Sequence, residues 1–237
     1  MADHLRTWLA LRDEIPWHRS RPVALPAPRP LRDGAAHDIR TFDHARDPAR
    51  AARLLTALTR AREDAAARTP LSFHLLSSWQ RLVLGTPEAP FRRHPAYAKD
   101  GRERYGISPD LPARLNTCLA EAEAEADSGS DSGSEPESDE LPLAARATRA
   151  YLDVCFFHPF DDGNARSAFL TLTYVLARAD VTLDQVGPIR RIQRRADDPE
   201  GALALADLIA LLINRTRTTP TYHPHSADRP PTCPPPH

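Results

Sequence analysis

Ser167-Ala-Phe-Leu-Thr-Leu-Thr-Tyr-Val-Leu-Ala-Arg-Ala179 is apolar on nearly every side. A helix that is hydrophobic all round has no face to give to water, so it belongs at the centre of a fold. Immediately before it stands His158-Pro-Phe-Asp-Asp-Gly-Asn-Ala-Arg166. Before that, Leu143, Ala147, Ala150, Tyr151, Val154 and Cys155 keep helical spacing up to Phe157. The centre of the chain therefore reads as helix, short polar loop, buried helix.

Outward from this pair the same period recurs. Upstream, Ala51, Leu54, Leu55, Leu58 and Ala61 make one helical stripe, and Leu75, Leu76, Trp79, Leu82 and Val83 make the next. The second helix is expected to open at Thr69-Pro70, with proline in the first turn, and to stop at Gly85. Leu111, Leu115, Cys118 and Leu119 mark another helix, and Leu205, Leu208, Ile209, Leu212 and Ile213 the last. Between Gly85 and Pro109 periodicity vanishes, and Asp100-Gly101 suits the tip of a short β-hairpin. A loop that long inside a compact domain is usually functional or disordered. The class is all-α, a helical bundle with disordered arms. Residues 1–48 form a proline-rich extension in which Leu5, Trp8, Leu9 and Leu11 suggest a short helix. Its stretch from Pro16 to Pro30 should be extended and lie along the main body as an arm. The domain proper spans 49–215, with an acidic disordered insert at about 121–141, and 216–237 is a proline-rich disordered tail.

Charge and cysteine usage narrow the class further. The 237 residues carry a net charge of −1, yet residues 121–140 alone hold nine acids and no base, which leaves the remainder mildly basic. That suits an anionic ligand but is too weak for nucleic acid. Such an acidic, Ser/Gly-rich segment cannot bury enough apolar surface to fold. Cys118, Cys155 and Cys233 show neither an even disulfide framework nor metal spacing, which suggests reduced thiols in a cytoplasmic protein. No eighteen-residue apolar run speaks for a membrane. His223, His225, Cys233 and His237 lie in the proline-rich tail and read as disorder rather than a metal site.

The loop from His158 to Arg166 gathers unusual chemistry. The N-terminus of the helix that follows offers unpaired N–H groups and a positive dipole, which together bind phosphate. Gly163 and Ala165 let the backbone approach a ligand closely. Within nine residues stand a titratable base (His158), a carboxylate (Asp162), an amide (Asn164) and a guanidinium (Arg166). Phosphoryl or nucleotidyl transfer needs such a set, because most of the catalysis is positioning and electrostatic stabilisation.

Eight of these nine positions agree with the signature of the Fic/Doc (Fido) family, which the string resembles. The resemblance implies a Fic-type fold over about residues 50–215 and a protein adenylyltransferase-like activity. In it His158 deprotonates a Ser, Thr or Tyr hydroxyl of a protein target, and Asp162 binds Mg²⁺. Gly163, Asn164 and the backbone amide of Ala165 form an anion hole, and Arg166 holds phosphate of ATP or another nucleotide donor. Phe160, with Pro159, anchors the motif in the core. The aperiodic segment from Phe91 to Tyr105 resembles the family's target-orienting flap, where His94 and Tyr97 are candidates to touch the target. An antitoxin-like regulator is a further implied partner. Two departures stand out. Phe169 occupies the place of a second phosphate-binding arginine, so recognition of the terminal phosphate is weaker or comes from elsewhere. Ala165 replaces glycine, or the lysine of the toxin relatives that phosphorylate their target. A Doc-like kinase or toxin and a degenerate non-enzymatic scaffold are the alternatives. Thr59-Arg-Ala-Arg-Glu63-Asp64 nearly matches the family's inhibitory helix, but with Phe169 present Glu63 lacks its partner, and no self-inhibition is assigned.

Overall fold

The computed structural model describes residues 2–123 and 141–216. In chain order these form α1 (His4–Leu11), a 3-10 turn (Trp17–Arg19), α2 (Gly34–Asp38), a π-helical segment (Ile39–Asp43), α3 (His44–Arg46), α4 (Pro48–Ala66) and α5 (Phe73–Leu84). The hairpin β1 (Ala96–Ala98) and β2 (Glu103–Tyr105) follows, then α6 (Leu111–Glu121), α7 (Leu143–Phe157), α8 (Asn164–Arg178), α9 (Gly187–Arg190) and α10 (Pro199–Asn214). The fold is all-α, with a two-stranded flap.

Helix α8 is the axis. Every residue from Ser167 to Leu176 is buried, with α7 and α4 against it, α5 against α4, and α6 and α10 against α7. Each of Phe169, Leu170, Leu172 and Tyr174, essentially without exposure, contributes roughly 1.5–3 kcal/mol by leaving water. The polar residues on this helix do not spoil the burial, because they find partners. The Thr171 hydroxyl donates to Ser167 O (3.0 Å) and the Thr173 hydroxyl to Phe169 O (3.1 Å).

Helix starts follow side-chain chemistry. The Asp47 carboxylate caps α4 by accepting the Arg50 N–H at 2.9 Å, with Pro48 in the first turn. Helix α5 does not open at Thr69-Pro70. Ser72 is its cap, accepting the Leu75 N–H at 3.3 Å, and the Thr69 carbonyl instead receives the Tyr174 hydroxyl. Gly85 ends α5 in the left-handed conformation at φ 71°, as its sequence position suggests. The hairpin pairs Ala96 with Tyr105, Tyr97 with Arg104 and Ala98 with Glu103, with Asp100-Gly101 at its tip.

The N-terminal stretch is not a disordered arm. Leu5, Trp8, Ile15 and Trp17 are core residues, and the extended segment lies along α10, where the Arg21 N–H donates to Asp207 (2.8 Å) and the Ala24 N–H to Asn214 (3.2 Å). Its anchor is Asp153, fully buried on α7. The carboxylate accepts the Trp8 Nε1–H (2.8 Å) and two bonds from Arg12 (both 2.9 Å). Unpaired, this buried charge costs several kcal/mol, and the three donors offset that penalty. The acidic segment is partly built in as well. Glu121 meets Arg12 and Arg149 at 2.9 Å, and a Glu123 carboxylate oxygen lies 2.9 Å from the Tyr174 hydroxyl, whose proton it shares with the Thr69 carbonyl. The rest of the expected insert, 124–140, and the tail from 217 lie outside the described residues.

Candidate active site

His158 ends α7 with φ 49°. A residue bearing Cβ is disfavoured there by about 1–2 kcal/mol, and the surroundings hold it in place. Its N–H reaches Val154 O (3.2 Å), and its carbonyl accepts the Arg92 Nε–H (2.8 Å). The imidazole stacks on Tyr105, with centroids 4.3 Å apart and planes 12° from parallel. Nδ1 lies 3.3 Å from Cys155 O. A carbonyl only accepts, so this bond places the proton on Nδ1 and leaves Nε2 as the acceptor. Burial lowers the imidazole pKa below its ordinary 6.5, with nearby Arg92 adding to the effect and the Cys155 carbonyl opposing it. The neutral form, able to take a proton, is therefore favoured.

Arg92 is the staple between flap and motif. Buried to 2% exposure, it meets no carboxylate at hydrogen-bonding distance among the described residues and spends its donors on carbonyls. Nη1 reaches His94 O (2.7 Å), Nη2 reaches Phe157 O (3.3 Å) and Gly106 O, and the backbone N–H reaches Pro159 O (2.9 Å). Both ends of the flap are thus fixed to the turn around His158. At the flap's outer side His94 and Tyr97 are exposed, Tyr97 at 58%.

Asn164 is buried, and its amide closes the loop upon itself. Oδ1 accepts the Phe160 N–H (2.9 Å) and Nδ2 donates to Phe160 O (2.7 Å). The side chain expected in an anion hole is thereby committed to the backbone, and what Asn164 offers a ligand is its own N–H at the start of α8. The N–H groups of Arg166 and Ser167 both bond to Gly163 O at 3.0 Å, so the outward N–H groups belong to Asn164 and Ala165. Gly163 sits at φ 81°, and a Cβ there would lie 2.4 Å from Gln80 Nε2 and 3.1 Å from Arg166 Nη2. Glycine is required twice over. Fully buried Gln80 supports the loop from α5 through Nε2 to Asp162 O (2.5 Å). Phe160 is buried against Phe73 (centroids 5.5 Å), and Pro159 is buried beside it, as core anchors should be.

Asp162 is 67% exposed at its side chain and lies 3.2 Å from Arg166 Nη2, with its other oxygen accepting the Gly163 N–H. No group of three metal-ligating side chains exists among the described residues. One exposed carboxylate nevertheless fits Mg²⁺, which commonly takes one or two carboxylates and fills its other positions with phosphate oxygens and water.

Two cavities meet at this loop. A cleft of about 230 Å³ between flap and α9 is lined by Tyr105, Cys155, His158, Asn164, Arg190 and Arg194, among others. A cavity of about 310 Å³ is lined by Asp43, Arg46, Asp47, Arg50, Arg166 and Phe169, among others. Tyr151, Ala165 and Arg190 line both, so the spaces adjoin, with the α8 N-terminus between them. The Cys155 thiol faces the first, but burial pushes its pKa up to about 12, so it is no nucleophile. Glu63 is exposed and lines neither. It stands nine residues along α4 from Leu54, about 13 Å by helical rise.

Gln80, Arg92, Tyr105, Arg190 and Arg194 were not distinguishable as site residues in the sequence. Gln80 alone left a trace, a polar residue four after buried Leu76 and three before buried Val83.

A family model described as the Fic/DOC family matches residues 70–176. That span, to which the similarity to the Fic/DOC family belongs, runs from the approach to α5 through the flap and motif to Leu176 near the end of α8. Among solved structures, a Fic domain containing signaling protein from Bacteroides thetaiotaomicron VPI-5482 is 17% identical over 71% of this chain and 69% of that one, with a TM-score of 0.48. Fic-1 (aa 134–508) from C. elegans is 16% identical over 89% of this chain and 68% of that one, with a TM-score of 0.43. No curated protein matches. No helix among the described residues is long and apolar enough to cross a membrane.

Proposed function

We propose that this chain transfers a nucleoside monophosphate, AMP in the first instance, from a nucleoside triphosphate to a Ser, Thr or Tyr hydroxyl of a protein. The observation that carries the assignment is the placement of His158 Nδ1 against the Cys155 carbonyl, at 3.3 Å. With Nδ1 bonded to Cys155 O and the pKa lowered by burial, Nε2 is an unprotonated acceptor in a cleft that adjoins the α8 N-terminus. The target hydroxyl oxygen attacks the α-phosphorus while its proton passes to Nε2. The bond from the α-phosphorus to its bridging oxygen breaks, and pyrophosphate leaves. Charge accumulating on the phosphate oxygens faces the N–H groups of Asn164 and Ala165 and the Arg166 guanidinium. Asp162 is the residue to hold Mg²⁺, which supplies charge neutralisation across the phosphates. Strand β1 (Ala96–Ala98), with exposed Tyr97 at its centre and exposed His94 two residues before it, is the surface offered to the target backbone. Ala165 supplies no charged side chain, which favours this over a kinase-like reaction.

The test is labelled transfer. Purified chain with Mg²⁺ and ATP carries the α-phosphate label, and not the γ-label, onto itself or a partner protein. His158→Ala should abolish incorporation, and equal labelling by that variant would sink the assignment.

A further inference from the structure

Phe169 has no charge to offer, yet a guanidinium sits on it. Arg190 places its CZ 4.6 Å from the centroid of the Phe169 ring, brought there by α9, outside the matched residues 70–176. Arg190 lines both cavities, and it is 12% exposed at its side chain. Asp43 and Asp38 hold it, with Nη1 at 2.8 and 2.5 Å from them and Nη2 at 3.1 Å from Asp43. These bonds leave Nε–H and part of Nη2 uncommitted. Four residues on, Arg194 lines the His158 cleft. Its Nε and Nη2 are buried and have no hydrogen-bond partner among the described residues. A buried guanidinium with unmade bonds is costly, and an anionic oxygen in the cleft satisfies it.

We infer that Arg190 and Arg194 form a phosphate-binding pair that receives the β- and γ-phosphates of the donor, beside a Phe169 that has no charge of its own. The assignment deepens the proposed function and rests on it. Phe169 then serves as the shelf that orients the Arg190 fork through its ring face. Asp38 and Asp43 fix the guanidinium before the donor arrives. The cavity beyond holds Arg46, Arg50 and Arg166 against Asp43 and Asp47, so its charge remains favourable to an anion.

Calorimetric titration of the full chain tests this without turnover, using ATP with Mg²⁺, inorganic tripolyphosphate and adenosine as separate probes. Arg194→Gln should weaken ATP and tripolyphosphate about tenfold or more, the value of one charge-assisted bond, and leave adenosine unchanged. Because its Nε and Nη2 lack protein partners among the described residues, the variant's melting temperature should be no lower than that of the wild type. Arg190→Lys retains charge but not the fork and should weaken the same two probes. Arg195→Ala, an exposed neighbour paired with Asp197, should change nothing. Equal tripolyphosphate affinity in wild type and both cleft variants overturns the pair alone. Failure of wild type to bind any polyphosphate overturns the pair together with the transfer reaction. Normal arginine-dependent binding without label transfer overturns only the reaction.

Discussion

Replacing Asn164 by alanine separates two roles that the motif alone confounds. If the amide were chiefly an anion ligand, Asn164→Ala would weaken phosphate binding and leave the unfolding midpoint where it was. The geometry says otherwise, since both amide atoms bond the Phe160 backbone, at 2.9 and 2.7 Å. Residue 164 is 3% exposed and Phe160 2%, so water cannot readily replace the lost partner. An orphaned buried donor or acceptor costs about 1–3 kcal/mol, and two of them about 2–5 kcal/mol after partial relaxation. Against a typical total of about 5–15 kcal/mol this is a severe loss. For a chain of this size it lowers the melting temperature by roughly 5–15 °C. Urea unfolding followed by far-UV circular dichroism measures it, with the midpoint falling and the slope unchanged. Transfer should fall with it, since the turn that aims the α8 N–H groups is no longer closed. A loss below about 0.5 kcal/mol, with weakened phosphate binding, would refute the structural role.

The pH dependence of transfer should show an acid limb below pH 6.5. His158 acts in its neutral form, its pKa is lowered by burial, and protonation as pH falls removes the base; a kcat/KM limb centred above 6.5 would contradict this. Arg92→Lys should release the flap while preserving charge, because one ammonium cannot reach His94, Gly106, Phe157 and His158 carbonyls together. Amide exchange across 94–106 should rise at least tenfold, and the KM for a protein target should rise more than that for the nucleotide. Unchanged exchange would remove Arg92 from the role of staple.

The helical frame was legible because its signal is local. The stripes of α4, α5 and α10 and the all-round apolar α8 each announce themselves within one window. The hairpin tip at Asp100-Gly101 was legible for the same reason. At the start of α5, Thr69-Pro70 and Ser72 were both chemically suitable, and packing of Tyr174 onto the Thr69 carbonyl decided between them. The motif gave the identities at 158–166 but not the use of each atom. Asn164 looked like an anion ligand, and only coordinates show its amide turned inward. The arginines were hardest. In a chain with one lysine and arginine nearly everywhere, nothing local marks Arg92, Arg190 or Arg194. Their distinction comes from elements far apart in sequence, the flap, the motif and α9.

The knot at Asp153 also sets a timetable. Trp8 and Arg12 are separated from Asp153 by 145 and 141 residues, among the longest-range contacts in the fold. A ribosome adding about 5–20 residues per second takes roughly 7–30 s to supply that carboxylate after Trp8 has been made. During that interval Trp8 and Arg12 lack the carboxylate that they bond in the finished fold. The flap contact made by Asp3 with Arg104, at 2.9 Å, becomes available earlier. Partners for the N-terminal stretch thus become available in the order flap, Asp153 and lastly α10, where Asp207 and Asn214 receive Arg21 and Ala24.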